Sequence, residues 1–189
     1  MFGALENASE PAKQPSFAER FAHFITRTST VYGTSHISIL SDRGIENRLF
    51  DSLLAFIPEG AIIAGGFVMG VILEEKTATD IDFFFTSEKA FRDMVALILT
   101  PPDDKEAWAY KGYQWKDGVK MDLDKLGDTR FITFTHPTRP ALQLMRMVWY
   151  DSAEHVIDTF DLTIVQFAAT GNRLSYNPAA WLDLSRKRI

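Results

Sequence analysis

Residues 61–86, AIIAGGFVMGVILEEKTATDIDFFFT, constrain this chain more than any other stretch. A short apolar run, 61–64, reads as a buried strand, and Gly65 and Gly66 follow it. An apolar segment, 67–73, and a polar loop, 74–79, then lead to Asp80-Ile81-Asp82, set against Phe83-Phe84-Phe85. Alternate residues of a strand share a face, so this spacing predicts that Asp80 and Asp82 project together, with Ile81 and Phe83 opposed to them. Two carboxylates on an otherwise apolar strand are costly to bury unless something pairs with them. A divalent cation meets that need, and hard oxygen ligands suit Mg²⁺.

The flanking sequence supplies the elements around this stretch. Residues 1–16 lack periodicity and read as an arm that stays mobile or orders on a partner, leaving 17–189 as one domain. Phe17, Phe21, Phe24 and Ile25 predict an amphipathic helix over 17–27, while 28–40 is either irregular or a short strand. Ser41 or Asp42 caps a second helix with the stripe Ile45, Leu49, Leu53, Phe56 and Ile57, ended by Pro58-Glu59-Gly60. Ser87 caps a third, carrying Phe91, Met94, Val95, Ile98 and Leu99, and Pro101-Pro102 stops it. A helix, strand, strand, helix order points to an α+β fold with an α/β-type core.

Downstream, Trp108, Tyr110, Tyr113 and Trp115 alternate with polar residues and suggest a strand or hairpin, with a turn at Asp117-Gly118. Such an aromatic ladder suits cross-strand packing better than base stacking. Strands are expected at 130–135 and 141–148, joined through 136–140. A helix over 153–160, capped by Asp151 or Ser152, precedes a strand at 161–165, a turn at Gly171-Asn172 and a helix starting at Asn177-Pro178.

Composition removes several classes. At 189 residues, 46% hydrophobic and 13% aromatic, the chain can bury a sizeable core. A net charge of −5 gives no overall basic field for nucleic acid, although a local groove stays open. The sequence has no cysteine, hence no disulfide, thiol nucleophile or cysteine-based zinc site. Neither a signal peptide nor a membrane-length apolar run is apparent, so a cytoplasmic protein with no membrane partner is expected.

The glycine pair after a strand, followed at 80–83 by Asp-hydrophobic-Asp-hydrophobic, resembles the signature of the nucleotidyltransferase superfamily, in its poly(A) polymerase and CCA-adding type. Within it the chain resembles short phage- or bacteria-encoded nucleotidyltransferase-like proteins, over 61–189. The resemblance implies a mixed sheet flanked by helices and a metal-dependent transfer of an NMP from an NTP to a hydroxyl acceptor. Asp80 and Asp82 would then hold two Mg²⁺ (or Mn²⁺). A third carboxylate would come from a strand beside theirs and would also activate the acceptor. Asp161 is the preferred candidate, with Asp122 of 119–124 as its competitor. Gly65 and Gly66 would begin a helix whose N–H groups meet the phosphates, and Lys76, Arg92 and Arg146 are either phosphate contacts or, the commoner case for such residues, solvated surface. Implied partners are the triphosphate, an RNA or protein acceptor, and an assembly joined through the arm, in a host cytoplasm or virion if phage-encoded. A departure from the pattern is the apolar run Phe67-Val68-Met69-Gly70-Val71, where CCA-adding enzymes carry an Arg and an Asp. The alternatives are a catalytically silent module of the same fold, acting structurally or in binding, and a phosphohydrolase, which the glycine pair disfavours.

Overall fold

The computed structural model describes residues 28–31, 34–38, 48–73, 78–116, 121–171 and 173–186. The expected arm at 1–16, the helix at 17–27, the caps Ser41 and Asp42, Lys76 and the Asp117-Gly118 turn lie outside the described residues. Nine strands form one sheet: β1 (Thr28–Val31), β2 (Thr34–Ser38), β3 (Ala61–Ala64), β4 (Asp80–Phe85), β5 (Gln114–Trp115), β6 (Phe131–Thr135), β7 (Ala141–Met145), β8 (Phe167–Thr170) and β9 (Arg173–Tyr176). Their order across the sheet is β1-β2-β9-β8-β3-β4-β7-β6-β5. The β4–β7 pair is parallel and the other pairs are antiparallel. The helices are α1 (Arg48–Ala55), α2 (Gly66–Leu73), α3 (Glu88–Leu99), α4 (Ala153–Asp158) and α5 (Pro178–Arg186). The expected mixed α+β architecture is therefore present.

β3 and β4 are central, and their sequences show it. All four residues of β3 are buried, as a strand covered on both faces requires. Along β4 the alternation separates two cores. Ile81, Phe83 and Phe85 join the larger one, with Phe50 and Leu53 of α1, Phe67, Val68 and Val71 of α2, and Phe91, Met94 and Val95 of α3. Phe84 joins the smaller one on the other face, with Ile62, Ala64 and Ala168 beneath Val156 and Ile157 of α4. Burial of such large apolar side chains supplies roughly 1.5–3 kcal/mol each, which makes this double layer the main source of stability.

Several expectations hold in detail. Ser87 caps α3 by accepting from the Ala90 N–H, and Ser152 caps α4 by accepting from the His155 N–H. Asn177 opens α5 in the same way, its side chain accepting from the Ala179 N–H. Phe91, Met94, Val95 and Ile98 are buried, whereas Leu99 is 51% exposed because the helix ends there against the solvent-facing Thr100. β6 and β7 form the expected hairpin, with Phe134 opposite Leu142. The aromatics of 108–115 pack and tether. Tyr110 donates to the Leu53 carbonyl, Tyr113 to the Pro140 carbonyl, and Arg139 lies over the Trp108 ring.

Others need correction. The residues from Trp108 to Tyr110 fall in a 3-10 turn, Glu106–Tyr110, and only Gln114–Trp115 pairs as a strand. Within α1, Phe50 is buried, a position outside the expected stripe. The segment 161–165 is a bend and a 3-10 turn, Thr163–Val165. The strand in that region is β8, whose Phe167 and Ala169 face the larger core and whose Ala168 faces the smaller one. β9, unexpected from sequence, pairs with it across the Gly171 turn.

Candidate functional site

Among the described residues, the second face of the sheet is covered over part of its width. α4 lies over β3, β8 and Phe84, and the start of β4 is left beyond it. Here Asp80 and Asp82 stand on one face, half-buried, as the alternation requires. Antiparallel pairing sets Asp82 opposite Ala64, the last residue of β3, so the carboxylates lie where β3 turns into α2. Burial, and secondarily the neighbouring Asp80 charge, raise the Asp82 pKa from 3.8 to about 6. Burial and a like charge thus disfavour the ionised form of Asp82, a condition a cation would relieve.

Gly65 makes the turn. Its φ of +86° is a left-handed conformation that a side chain resists, and its N–H donates to the Phe167 carbonyl at 2.9 Å. A Cβ there would stand 3.7 Å from the Phe160 ring and 3.9 Å from Asp82 Oδ2. Gly66 is exposed, and a Cβ on it would meet nothing within 4 Å. The first α-helical bond of α2 runs from the Met69 N–H to the Gly65 carbonyl, so the N–H groups of Gly66, Phe67 and Val68 precede the helix's own ladder. A helix start of this kind attracts anions. The two glycines therefore differ in role: Gly65 provides conformation, its N–H being committed to the sheet, and Gly66 provides open approach. Gly65→Ala is expected to cost about 1 kcal/mol of stability through backbone strain, and Gly66→Ala close to nothing. Urea melts of the two variants check this, and equal midpoints would refute the assignment.

Asp161, the expected third carboxylate, is not on a strand beside β4. The strands beside β4 are β3 and β7, and neither contains Asp161. Asp161 is exposed, in the bend after Phe160. It neighbours the site through Phe160, whose ring packs 5.8 Å from that of Phe84. Asp122 caps the 3-10 turn Leu123–Lys125 and pairs with Lys125 at 3.0 Å. Asp124 is bound by Arg92 at 2.9 Å, and Arg92 also holds Glu88. Arg146 follows β7 at the end remote from the carboxylates, since Asp82 is level with Gln143 and Phe83 with Leu144. Its guanidinium donates to the Gly127 carbonyl at 2.6 Å. Among the described residues, no three His, Asp or Glu side chains form a group able to hold a metal ion.

Sequence reasoning missed Gln143. It lies opposite Asp82 in the parallel β4–β7 register, and its Nε2 donates to Asp80 Oδ2 at 2.8 Å. Leu142 and Leu144 point into the large core, so Gln143 has to face the carboxylates. Its signal in sequence is a single polar residue between two apolar ones in Ala141-Leu142-Gln143-Leu144-Met145.

This mixed α+β sheet, with two acids on a central strand beside a glycine turn and a helix start, is compatible with a nucleotidyltransferase-like fold. The sequence matches the Gad2 family, "Gabija anti-defense 2 family protein", over residues 36–187. The chain belongs to that family. Among solved structures it is similar to a Thermotoga maritima CCA-adding enzyme complexed with tRNA, at 16% identity and a TM-score of 0.45. That match covers 75% of this chain and 34% of the enzyme, so the chain spans about a third of that enzyme's length. No curated protein matches the sequence. Among the described residues no helix is long and apolar enough to cross a membrane.

Proposed function

We propose that this chain acts in anti-defence against Gabija by handling nucleoside triphosphates at the Asp80–Asp82 site. The activity proposed is metal-dependent transfer of an NMP from an NTP to a hydroxyl acceptor on RNA, protein or a small molecule. The family match supports the anti-defence role. The observation that carries the chemistry is the pair of half-buried carboxylates facing the Gly65 turn at the start of α2. The donor set fits Mg²⁺ or Mn²⁺: two carboxylates with hard oxygens on one strand face, with the Asp82 proton affinity raised by burial and by the adjacent Asp80 charge. When bound, such an ion neutralises phosphate charge and stabilises the leaving oxygen. Asp80 and Asp82 would hold it. The N–H groups of Gly66, Phe67 and Val68 would receive phosphate oxygens. Phe160 would keep water from one side of the turn, and Asp161, next in the chain, is the acid proposed to orient the acceptor hydroxyl.

A second reading, a module that binds nucleotide without transferring it, is favoured by Gln143, a neutral amide on the strand where the resemblance implies an acid. A labelling screen separates the two. Each of the four NTPs, α-labelled, is incubated with the protein, Mg²⁺ or Mn²⁺, and RNA and protein extracts, with calorimetry run in parallel. Label in an acceptor supports transfer, and binding without label supports the module. An absence of both overturns the nucleotide reading.

A further inference from the structure

The side chains facing the carboxylate pair determine how much positive charge the site can hold. β7 runs parallel beside β4, with Asp80 level with Ala141 and Asp82 with Gln143. Leu142 and Leu144 are fully buried on the opposite face, which leaves Gln143 as the polar side chain that β7 presents to the acids. Its hydrogen bond to Asp80 Oδ2, 2.8 Å long, fixes the amide orientation, because an ionised carboxylate only accepts. Gln143 therefore ties one Asp80 oxygen and adds no negative charge. Two bound divalent cations need bridging carboxylates and enough anionic ligands to offset their mutual repulsion. Among the described residues this site offers two carboxylates, and no third acid or histidine joins them.

We propose that Gln143 holds the site to a single divalent cation, by occupying the neighbouring-strand position with a neutral donor and orienting Asp80 through it. The inference rests on the cation–nucleotide reading of the site, and it holds whether or not the nucleotide is then transferred. Gln143 is a positioning residue in this account. One bound cation matches the two charges of Asp80 and Asp82. A carboxylate at 143 has the reach of the amide it replaces, and it would supply the missing anionic ligand.

The experiment is a Mn²⁺ titration of the full chain, counting free ion by electron paramagnetic resonance, on wild type, Gln143→Glu and Gln143→Met. Wild type is expected to bind one Mn²⁺ per chain. Gln143→Glu is expected to bind a second ion, or the first at least about tenfold more tightly. Gln143→Met is expected to keep the single ion with weaker affinity, since Asp80 loses its orienting donor. Two ions on the wild type overturn this inference alone and leave the nucleotide reading standing. An unchanged count and affinity in Gln143→Glu also overturn it. If that variant fails to fold, the wild-type count and the Gln143→Met affinity still decide. No ion bound by any variant overturns the site reading together with the inference.

Discussion

Asp82→Asn is expected to make the cation-free protein more stable than the wild type at pH 7, by about 1–2 kcal/mol. The reason lies in the raised proton affinity of Asp82, pushed up to about 6 by burial and by the adjacent Asp80. The folded state binds this proton more tightly than the unfolded chain, whose carboxyl titrates near 3.8. Wild-type stability therefore falls as pH rises from about 4 to about 6, and the whole penalty is present above that window. Partial solvent exposure reduces the cost below the full value of the shift. Asn does not ionise, so its advantage is full above pH 6 and vanishes below pH 4. Mn²⁺ is expected to reverse the order, because a ligand that binds only the folded state stabilises it and the variant lacks an acid to bind it. Denaturant melts at pH 4, 6 and 8, with and without Mn²⁺, measure both effects. A variant less stable than wild type at pH 8 without metal would instead place Asp82 in a structural ion pair.

Asp80→Ala carries the largest functional effect. It is expected to abolish cation-dependent triphosphate binding and to lower any label transfer by on the order of 10²–10³-fold, since no nearby neutral group replaces the lost charge. The fold is expected to survive. Asp80 is half-exposed, and its partners Thr79 and Gln143 are an exposed hydroxyl and a half-exposed amide that water can satisfy. Arg146→Ala is the control: its guanidinium serves the Gly127 carbonyl beyond the far end of β7, so nucleotide binding should be unchanged. Binding by Asp80→Ala at the wild-type level would remove the carboxylates from the proposed chemistry.

What could be read in the sequence was local. The Ser87 cap and the apolar spacing of α3 sit within one helix, and the face shared by Asp80 and Asp82 follows from a single strand's alternation. The hairpin of β6 and β7 is also a short-range pairing. The strand beside β4 was not legible, because that partner, β7, comes from far along the chain, and Asp161 was expected on it. A β-branched run, Thr163-Ile164-Val165, looked more like a strand than Phe167-Ala168-Ala169, yet the latter alternates between two cores and is buried on both faces. Gln143 left little trace because an amide carries no charge, and its meaning arises only once the parallel register sets it against Asp82.

The position of β3 bears on how the molecule is made. It lies between β4, which follows it closely, and β8, which pairs Ala169 with Ile63 from more than half the chain away. During synthesis β3, α2 and β4 leave the ribosome with one edge of β3 unmatched. The entropy of closing so long a loop grows only slowly with its length, but the rate of such distant pairing is low. Until β8 arrives, the Gly65 N–H has no Phe167 carbonyl to hold it, and the open edge invites association with other chains. The carboxylates are thus translated early but gain a fixed setting late, so capture of a divalent ion by a nascent chain would mark completion of the sheet.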